Sequence, residues 1–336
     1  MLKIKNTQTD MSTYSIPCNL CESASVDVLA VKDRNGAYLR TVICKKCGLI
    51  WSDPRPDDET IKSFYSKGYR REYKGITIPK KKHVYRDARE AVRRYRFFEN
   101  LIEKADPLLD IGSGNGVFVY CLRRLGHDAQ GIGPDESHSR HARKVLEIPV
   151  ATGFAADIKD KGVFSVVTLH HVLEHMTDPL SELKHIRSML KPEGKLVVEV
   201  PNAEDIRQDP KNRYHRAHIY TFNPETLTAM GEKAGFAVVR KSVAPLNGNI
   251  AMIFRKKDDA LRHPVNLSGN YLKIKVNLNS HTNFNHFTSS APYTKIINNF
   301  MNAVKELIAV SALSNHKEII NKVLAVEFGD NKNGPG

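Results

Sequence analysis

At 336 residues, with 41% hydrophobic and 26% charged side chains, the chain has room for one sizeable α/β core plus small appendages, and its balance is that of an ordinary folded protein. No apolar run reaches the roughly 18 residues that a membrane helix needs. The first residues, MLKIKNTQTDMSTYS, lack the apolar core of a signal peptide, so a cytoplasmic location is expected. The formal charge of +14 favours polyanionic partners, whether nucleic acid, nucleotide-sugar diphosphates, acidic glycans or anionic lipid, without choosing among them.

The first twelve or so residues read as a loose tail. Residues 13–53 carry four of the five cysteines as two C-x-x-C turns, Cys18/Cys21 and Cys44/Cys47. Each such turn places two sulfurs on one ion, so together they make a tetrahedral zinc site that is closed to substrate and therefore structural. In a chain without a signal peptide this pattern indicates metal rather than disulfide. Cys121 reads as a buried core thiol. Residues 54–104 read as a linker and helical lid: Tyr65, Tyr69 and Tyr73 either cover a ligand or pack at a junction, and 84–104 has the apolar spacing of an amphipathic helix.

From 105 to 256 the pattern alternates as in a parallel sheet. Strands are expected at PLLDIG (107–112), HDAQGIG (127–133), Val163–Leu169, 195–200, Phe236–Val243 and Asn249–Phe254. Helices are expected at Val117–Arg124, Glu136–Leu146, Pro179–Leu190 and Pro224–Ala234. Residues 257–336 form a C-terminal extension. Its 265–290 stretch is rich in Asn, Ser and His with weak periodicity. The helical stripe Ile296, Ile297, Phe300, Val304 and Ile308 is expected to pack on the parent domain.

Asp110-Ile-Gly-Ser-Gly-Asn-Gly116 follows a buried strand, where glycines let the chain turn tightly and bring backbone amides against a ligand. The spacing is not G-x-G-x-x-G, and the Gly-Lys-Ser/Thr of a phosphate-binding P-loop is absent. The loop resembles motif I of the class I S-adenosylmethionine (AdoMet) methyltransferases. The likeness extends to Cys44–Pro56, which resembles the ribbon end of zinc-carrying bacterial members, and to Phe164–Pro179, which resembles their fourth-strand motif. Lys191–Asn202 resembles their fifth strand, and His218–Leu227 a late motif. It covers roughly residues 15–255. The resemblance implies a seven-stranded Rossmann-like sheet with the last strand antiparallel, an N-terminal zinc ribbon and a helical C-terminal extension. It implies bound AdoMet, with Asp110, Gly112, Ser113, Gly114, Gly116, Asp135, Asp157 and His170 as cofactor residues. One departure stands out. The second strand of such domains ends in an acid that holds the ribose, and Gly133 occupies that position here. Either Asp135 reaches back, or a water replaces the carboxylate, or AdoMet binds weakly.

The fourth-strand end reads His170-His-Val-Leu-Glu-His175. His171, Glu174 and His175 have i, i+3, i+4 spacing and, with His218, are the expected catalytic residues. His171 leads as proton acceptor because imidazole suits a base near neutral pH. Asn/Asp-Pro-Pro-Tyr after this strand is absent, as is a Pro-Cys nucleophile. This fits O- or C-methylation of a sugar, nucleotide-sugar or glycan precursor. Two alternatives remain open: an rRNA or tRNA methyltransferase gripping phosphates with Lys80–Lys82 and Arg93–Arg96, and a non-catalytic binding protein that has lost AdoMet.

Overall fold

The computed structural model describes residues 16–56, 79–205, 207–244, 248–257 and 265–329. Tyr65, Tyr69 and Tyr73 lie outside them. In chain order the elements are β1 (Val26–Lys32), β2 (Tyr38–Cys44), β3 (Ile50–Ser52), α1 (Lys81–Phe98), β4 (Pro107–Ile111), α2 (Val117–Arg124), β5 (Asp128–Gly133), α3 (Glu136–His141), β6 (Val150–Thr152), β7 (Phe164–His170), α4 (Pro179–Met189), β8 (Leu190–Pro201), β9 (Tyr220–Thr221), α5 (Pro224–Lys233), β10 (Phe236–Val243) and β11 (Asn249–Lys256). Four further helices follow: α6 (Asn270–Ser280), α7 (Asn283–Thr288), α8 (Ala291–Val310) and α9 (His316–Phe328).

The helices start where short polar side chains and prolines place them. Asp178 accepts from the Ser181 amide with Pro179 at the first helical position of α4, and Asn223 and Thr226 cap α5 reciprocally ahead of Pro224. In α1, Val84, Ala88, Ala91, Val92 and Phe98 recur at helical spacing and are buried.

Seven strands form the main sheet in the order β10-β11-β8-β7-β4-β5-β6. The pairs from β8 to β6 are parallel, and β11 inserts antiparallel between β8 and β10. This is the expected seven-stranded sheet with its last strand antiparallel. The short β6 escaped sequence reading because three residues are too few to show a period.

The second sheet, β1-β2-β3-β9, is not confined to the N-terminus: Trp51 of β3 pairs with Tyr220 of β9, which follows β8 in the chain. One hydrophobic core runs through both sheets, joining Leu20, Val42, Leu49 and Trp51 to Leu109, Val167, Leu169 and Val198. The opposite face of the large sheet is covered by α1, α2 and α9, where Phe98, Phe118, Ile319 and Ile320 meet.

The C-terminal extension is helical, including most of the stretch that lacked periodicity. Ile274 and Leu278 of α6 seal the ribbon against Ile43 and Ile50. The stripe on α8 departs from expectation: Ile296, Phe300 and Ile308 are 66%, 68% and 69% exposed. The helix is anchored instead through its other side, where Glu306 accepts both guanidinium bonds of Arg86.

Candidate functional site

The glycine loop lies where the carboxyl ends of β4, β5 and β7 meet. The amides of Gly112 and Ser113 both donate to the Ile132 carbonyl, at 2.7 and 3.1 Å, which folds the loop back over β5. Gly112 has φ of 76°, and a Cβ there would stand 2.3 Å from Val172 Cγ2. The residue must therefore be glycine both for its left-handed backbone and for the close approach of the segment after β7. Below the loop, buried Asp110 accepts from Thr168 Oγ1 at 2.6 Å and lies 3.6 Å from His170 Nδ1. The His170 ring stands edge-on to Phe118. Burial, then the charge of Arg94, holds this imidazole below its ordinary pKa, so it stays neutral at pH 7.

These residues fit an AdoMet site on two observations. Among the described residues, Ser113 Oγ and His170 Nδ1 are buried without a hydrogen-bond partner, polar atoms of the kind a ligand satisfies. Gly133 also lies against the loop: a Cβ there would make ordinary van der Waals contact with the amides of Ser113 and Gly114, at 3.7 and 3.8 Å, so a side chain at this position could be accommodated beside the loop amides. The other two expected cofactor carboxylates do local work. Asp135 Oδ1 caps α3, accepting from the amides of Ser137 and His138 and from Ser137 Oγ. Asp157 Oδ2 accepts from the Phe154 amide at 2.8 Å and tightens the turn after β6.

Across Val172 from the glycine loop, His171, Glu174, His175 and His218 converge. They do so without the helical face that their spacing implied. His171 has φ of 57°, a left-handed backbone that non-glycine residues rarely adopt, and only Leu173–His175 forms a single tight turn. The Ile219 amide donates to the Glu174 carbonyl at 2.8 Å, and the Ser52 amide donates to the Ile219 carbonyl. The ribbon thereby holds the His215–His218 loop against the loop after β7. The His218 ring lies 3.8 Å from that of His215 and 4.9 Å from that of His175. Burial pushes His218 down to about 3 and His215 down to about 4.

His171 sits between two carboxylates. Its Nδ1 is 3.3 Å from Glu174 and its Nε2 is 3.2 Å from Glu199. Burial opposes its charge, but the two acids outweigh burial and lift it to about 9. An imidazole held protonated near neutrality donates rather than accepts, which opposes the leading proton-acceptor role expected of it. Burial alone would likewise raise Glu174; the imidazoles around it bring it down to about 2.

Sequence reading missed Glu199. It is 2% exposed near the carboxyl end of β8 and binds Arg93 at 2.6 Å and Arg94 at 3.2 Å. A carboxylate inside the apolar run Leu196–Val200 was the signal available. The same contacts turn Arg93 and Arg94 inward, away from any phosphate. Arg96 pairs with Glu327, and Lys81 donates to the Leu313 carbonyl. The basic runs expected to grip RNA are thus largely occupied within the chain.

The four ribbon thiols gather as their spacing predicts. Cys18 Sγ is 3.5 Å from Cys47 Sγ, and Cys21 Sγ is 3.4 Å from Cys44 Sγ. All four lie within 4.8 Å of one another. Four thiolates at tetrahedral zinc would stand about 3.8 Å apart, given Zn–S bonds of roughly 2.3 Å. The donor set fits. Cys121 is buried in α2, as expected, and burial pushes its thiol up.

Residues 81–241 match the family model described as a methyltransferase domain. This segment is a class I methyltransferase domain. Its curated relatives include ubiquinone biosynthesis O-methyltransferases. That of Bradyrhizobium diazoefficiens is 35% identical over 28% of this chain and 40% of the relative, and that of Aeromonas salmonicida is 26% identical over 39% and 63%. The chain therefore spans only part of the length of the curated relatives it matches. Among solved structures, the 1,6-didemethyltoxoflavin-N1-methyltransferase of Burkholderia thailandensis overlays with a TM-score of 0.45 at 16% identity, over 62% of this chain and 96% of that one.

Proposed function

We propose that this chain transfers the methyl group of AdoMet to an oxygen of a small hydroxylated acceptor of the sugar, nucleotide-sugar or glycan-precursor class, in the cytoplasm. The observation that carries the reading is the contact between Gly112 and Val172. It sets the glycine loop directly beside the His171, Glu174, His175 and His218 cluster, so cofactor and acceptor chemistry share one crevice at the strand ends.

AdoMet, when bound, supplies an activated methyl on a sulfonium. The amides of the Gly112–Gly116 loop and Ser113 would cradle its amino-acid and ribose portions. Asp110, at the loop's base, would order the loop or meet the methionine ammonium. His170 and Asp135 would support the pocket wall, and Asp157 would hold the turn beside the adenine. The first task of the protein's own residues is alignment, holding a hydroxyl in line with the methyl. Glu174, His175 and His218 would bind that hydroxyl, and His171, held between Glu174 and Glu199, would position Glu174.

The four ribbon cysteines would hold a structural zinc, which the reducing cytoplasm leaves accessible to the thiols. The domain reading follows: a ribbon (13–53), a linker and lid (54–104), the AdoMet domain (105–256) and an extension (257–336). Inward pairing of Arg93 and Arg94 argues against RNA as the acceptor.

The test is twofold. Calorimetry measures AdoMet binding, and mass spectrometry of a panel of nucleotide sugars and diols looks for a gain of one CH₂. AdoMet binding abolished by Gly114→Val in a folded protein is expected. Unchanged affinity in that variant refutes the cofactor site, and salt-sensitive methylation of RNA in place of small acceptors refutes the substrate class.

A further inference from the structure

Glu174 presents an unusual situation. It is 1% exposed, yet among the described residues neither carboxylate oxygen has a hydrogen-bond partner. A buried carboxylate is costly unless positive charge meets it, and here two imidazoles approach it, both at Oε1: His171 Nδ1 is 3.3 Å away and His175 Nε2 is 3.9 Å away. Glu174, His175 and His218 each offer a ligand atom, and those atoms all lie within 4.8 Å of one another.

The orientation of His175 is informative. Its Nδ1 contacts the Ala217 carbonyl. A carbonyl can only accept, so Nδ1 carries the proton, and Nε2 is the ring nitrogen that lies 3.9 Å from Glu174. Fixing one ring nitrogen on a backbone carbonyl to aim the other is how proteins orient metal-binding histidines. Behind the cluster, His215 packs against the His218 ring and restricts its rotation. Ile219 ties the two loops together, so the three ligands do not rely on one flexible segment.

From this geometry we infer that Glu174, His175 and His218 form a binding site for a divalent transition-metal cation, distinct from the ribbon cysteines. Two imidazoles and a carboxylate favour borderline ions such as Fe(II), Co(II) or Zn(II), accept the harder Mn(II) more weakly and disfavour Mg(II), and three protein ligands leave coordination positions open. The inference deepens the methylation reading and rests on it for its role. The open positions take two neighbouring oxygens of the acceptor, as in a vicinal diol. An ion there would make the coordinated hydroxyl easier to ionise, its proton passing to solvent, and the oxygen would take the methyl carbon as the carbon–sulfur bond of AdoMet breaks with its electron pair moving to sulfur, giving the methyl ether and S-adenosylhomocysteine. The acceptor class narrows accordingly from any hydroxyl to a chelating pair of oxygens.

The experiment uses the full chain with its ribbon zinc in place, zinc content and melting temperature being recorded for every sample. Mn(II), a hard ion that thiolates bind poorly, is titrated while the electron paramagnetic resonance of the free ion is followed. One Mn(II) per chain is expected. Glu174→Gln and His218→Gln should each weaken it by at least about 100-fold, since even outer partners of a metal ligand are worth roughly 10- to 100-fold. No binding at millimolar Mn(II), or equal binding by both folded variants, overturns the site. AdoMet affinity is measured separately in chelator, where it should persist. Methyl transfer should then stop and return on adding Mn(II) or Co(II). Transfer that continues undiminished in chelator overturns the metal's role while leaving the methylation reading intact. Mn(II) binding without AdoMet binding upholds the ion site and overturns that reading instead.

Discussion

Two clusters of potential ligands lie on either side of the same short strand, and they differ in kind. The cysteine cluster is all sulfur and enclosed, with Cys18, Cys44 and Cys47 at most 1% exposed. The Glu174, His175 and His218 cluster mixes oxygen and nitrogen, and its two histidines are only partly buried. A complete tetrahedral donor set leaves nothing for a substrate to do, whereas an incomplete set at the edge of a crevice does. β9 connects them: Tyr220 pairs with Trp51 of the ribbon, while the preceding Ile219 binds the Glu174 carbonyl. The closed site therefore braces the open one.

The sharpest way to break this contrast is Cys44→Ser. A structural zinc contributes on the order of 10 kcal/mol, so the variant should lose zinc, melt far below the parent and lose all AdoMet binding. Retained zinc with an unchanged melting curve would remove the bracing role. Glu174→Gln should do the opposite. Methyl transfer should fall by on the order of 10²-fold or more, as expected when a group that holds and polarises the acceptor is lost. The melting temperature and zinc content should barely change. A collapse of the fold would make the two clusters alike.

Gly112→Ala lies between these extremes. The left-handed backbone and the 2.3 Å approach to Val172 predict a loss of about 2–4 kcal/mol by urea denaturation, together with weakened AdoMet. Stability equal to the parent would mean that the loop and the segment after β7 are not locked together. The smallest effects concern the missing ribose acid. Gly133→Glu has room for its Cβ and should tighten AdoMet by on the order of tenfold through a charge-assisted hydrogen bond net of desolvation. Asp135→Ala should cost about 1 kcal/mol as a lost helix cap and leave AdoMet affinity nearly unchanged. A large affinity loss there would return the ribose role to Asp135.

The parts of the molecule legible in the sequence were those written by local rules. Paired C-x-x-C turns, the glycine run after a buried strand, and proline-started helices such as α4 and α5 each declare themselves over a few residues. Burial and backbone geometry act at that range. What sequence alone could not show came from residues distant in the chain. The pairing of Trp51 with Tyr220, the inward turn of Arg93 and Arg94 onto Glu199, and the exposed stripe on α8 depend on what packs opposite, and no local period records that. The site divides the same way. Its residue types were evident from His170-His-Val-Leu-Glu-His175. Their functional state was decided only when tertiary packing put His171 between two acids and left Glu174 buried without a hydrogen bond among the described residues, because a side chain's charge depends on its neighbours in space.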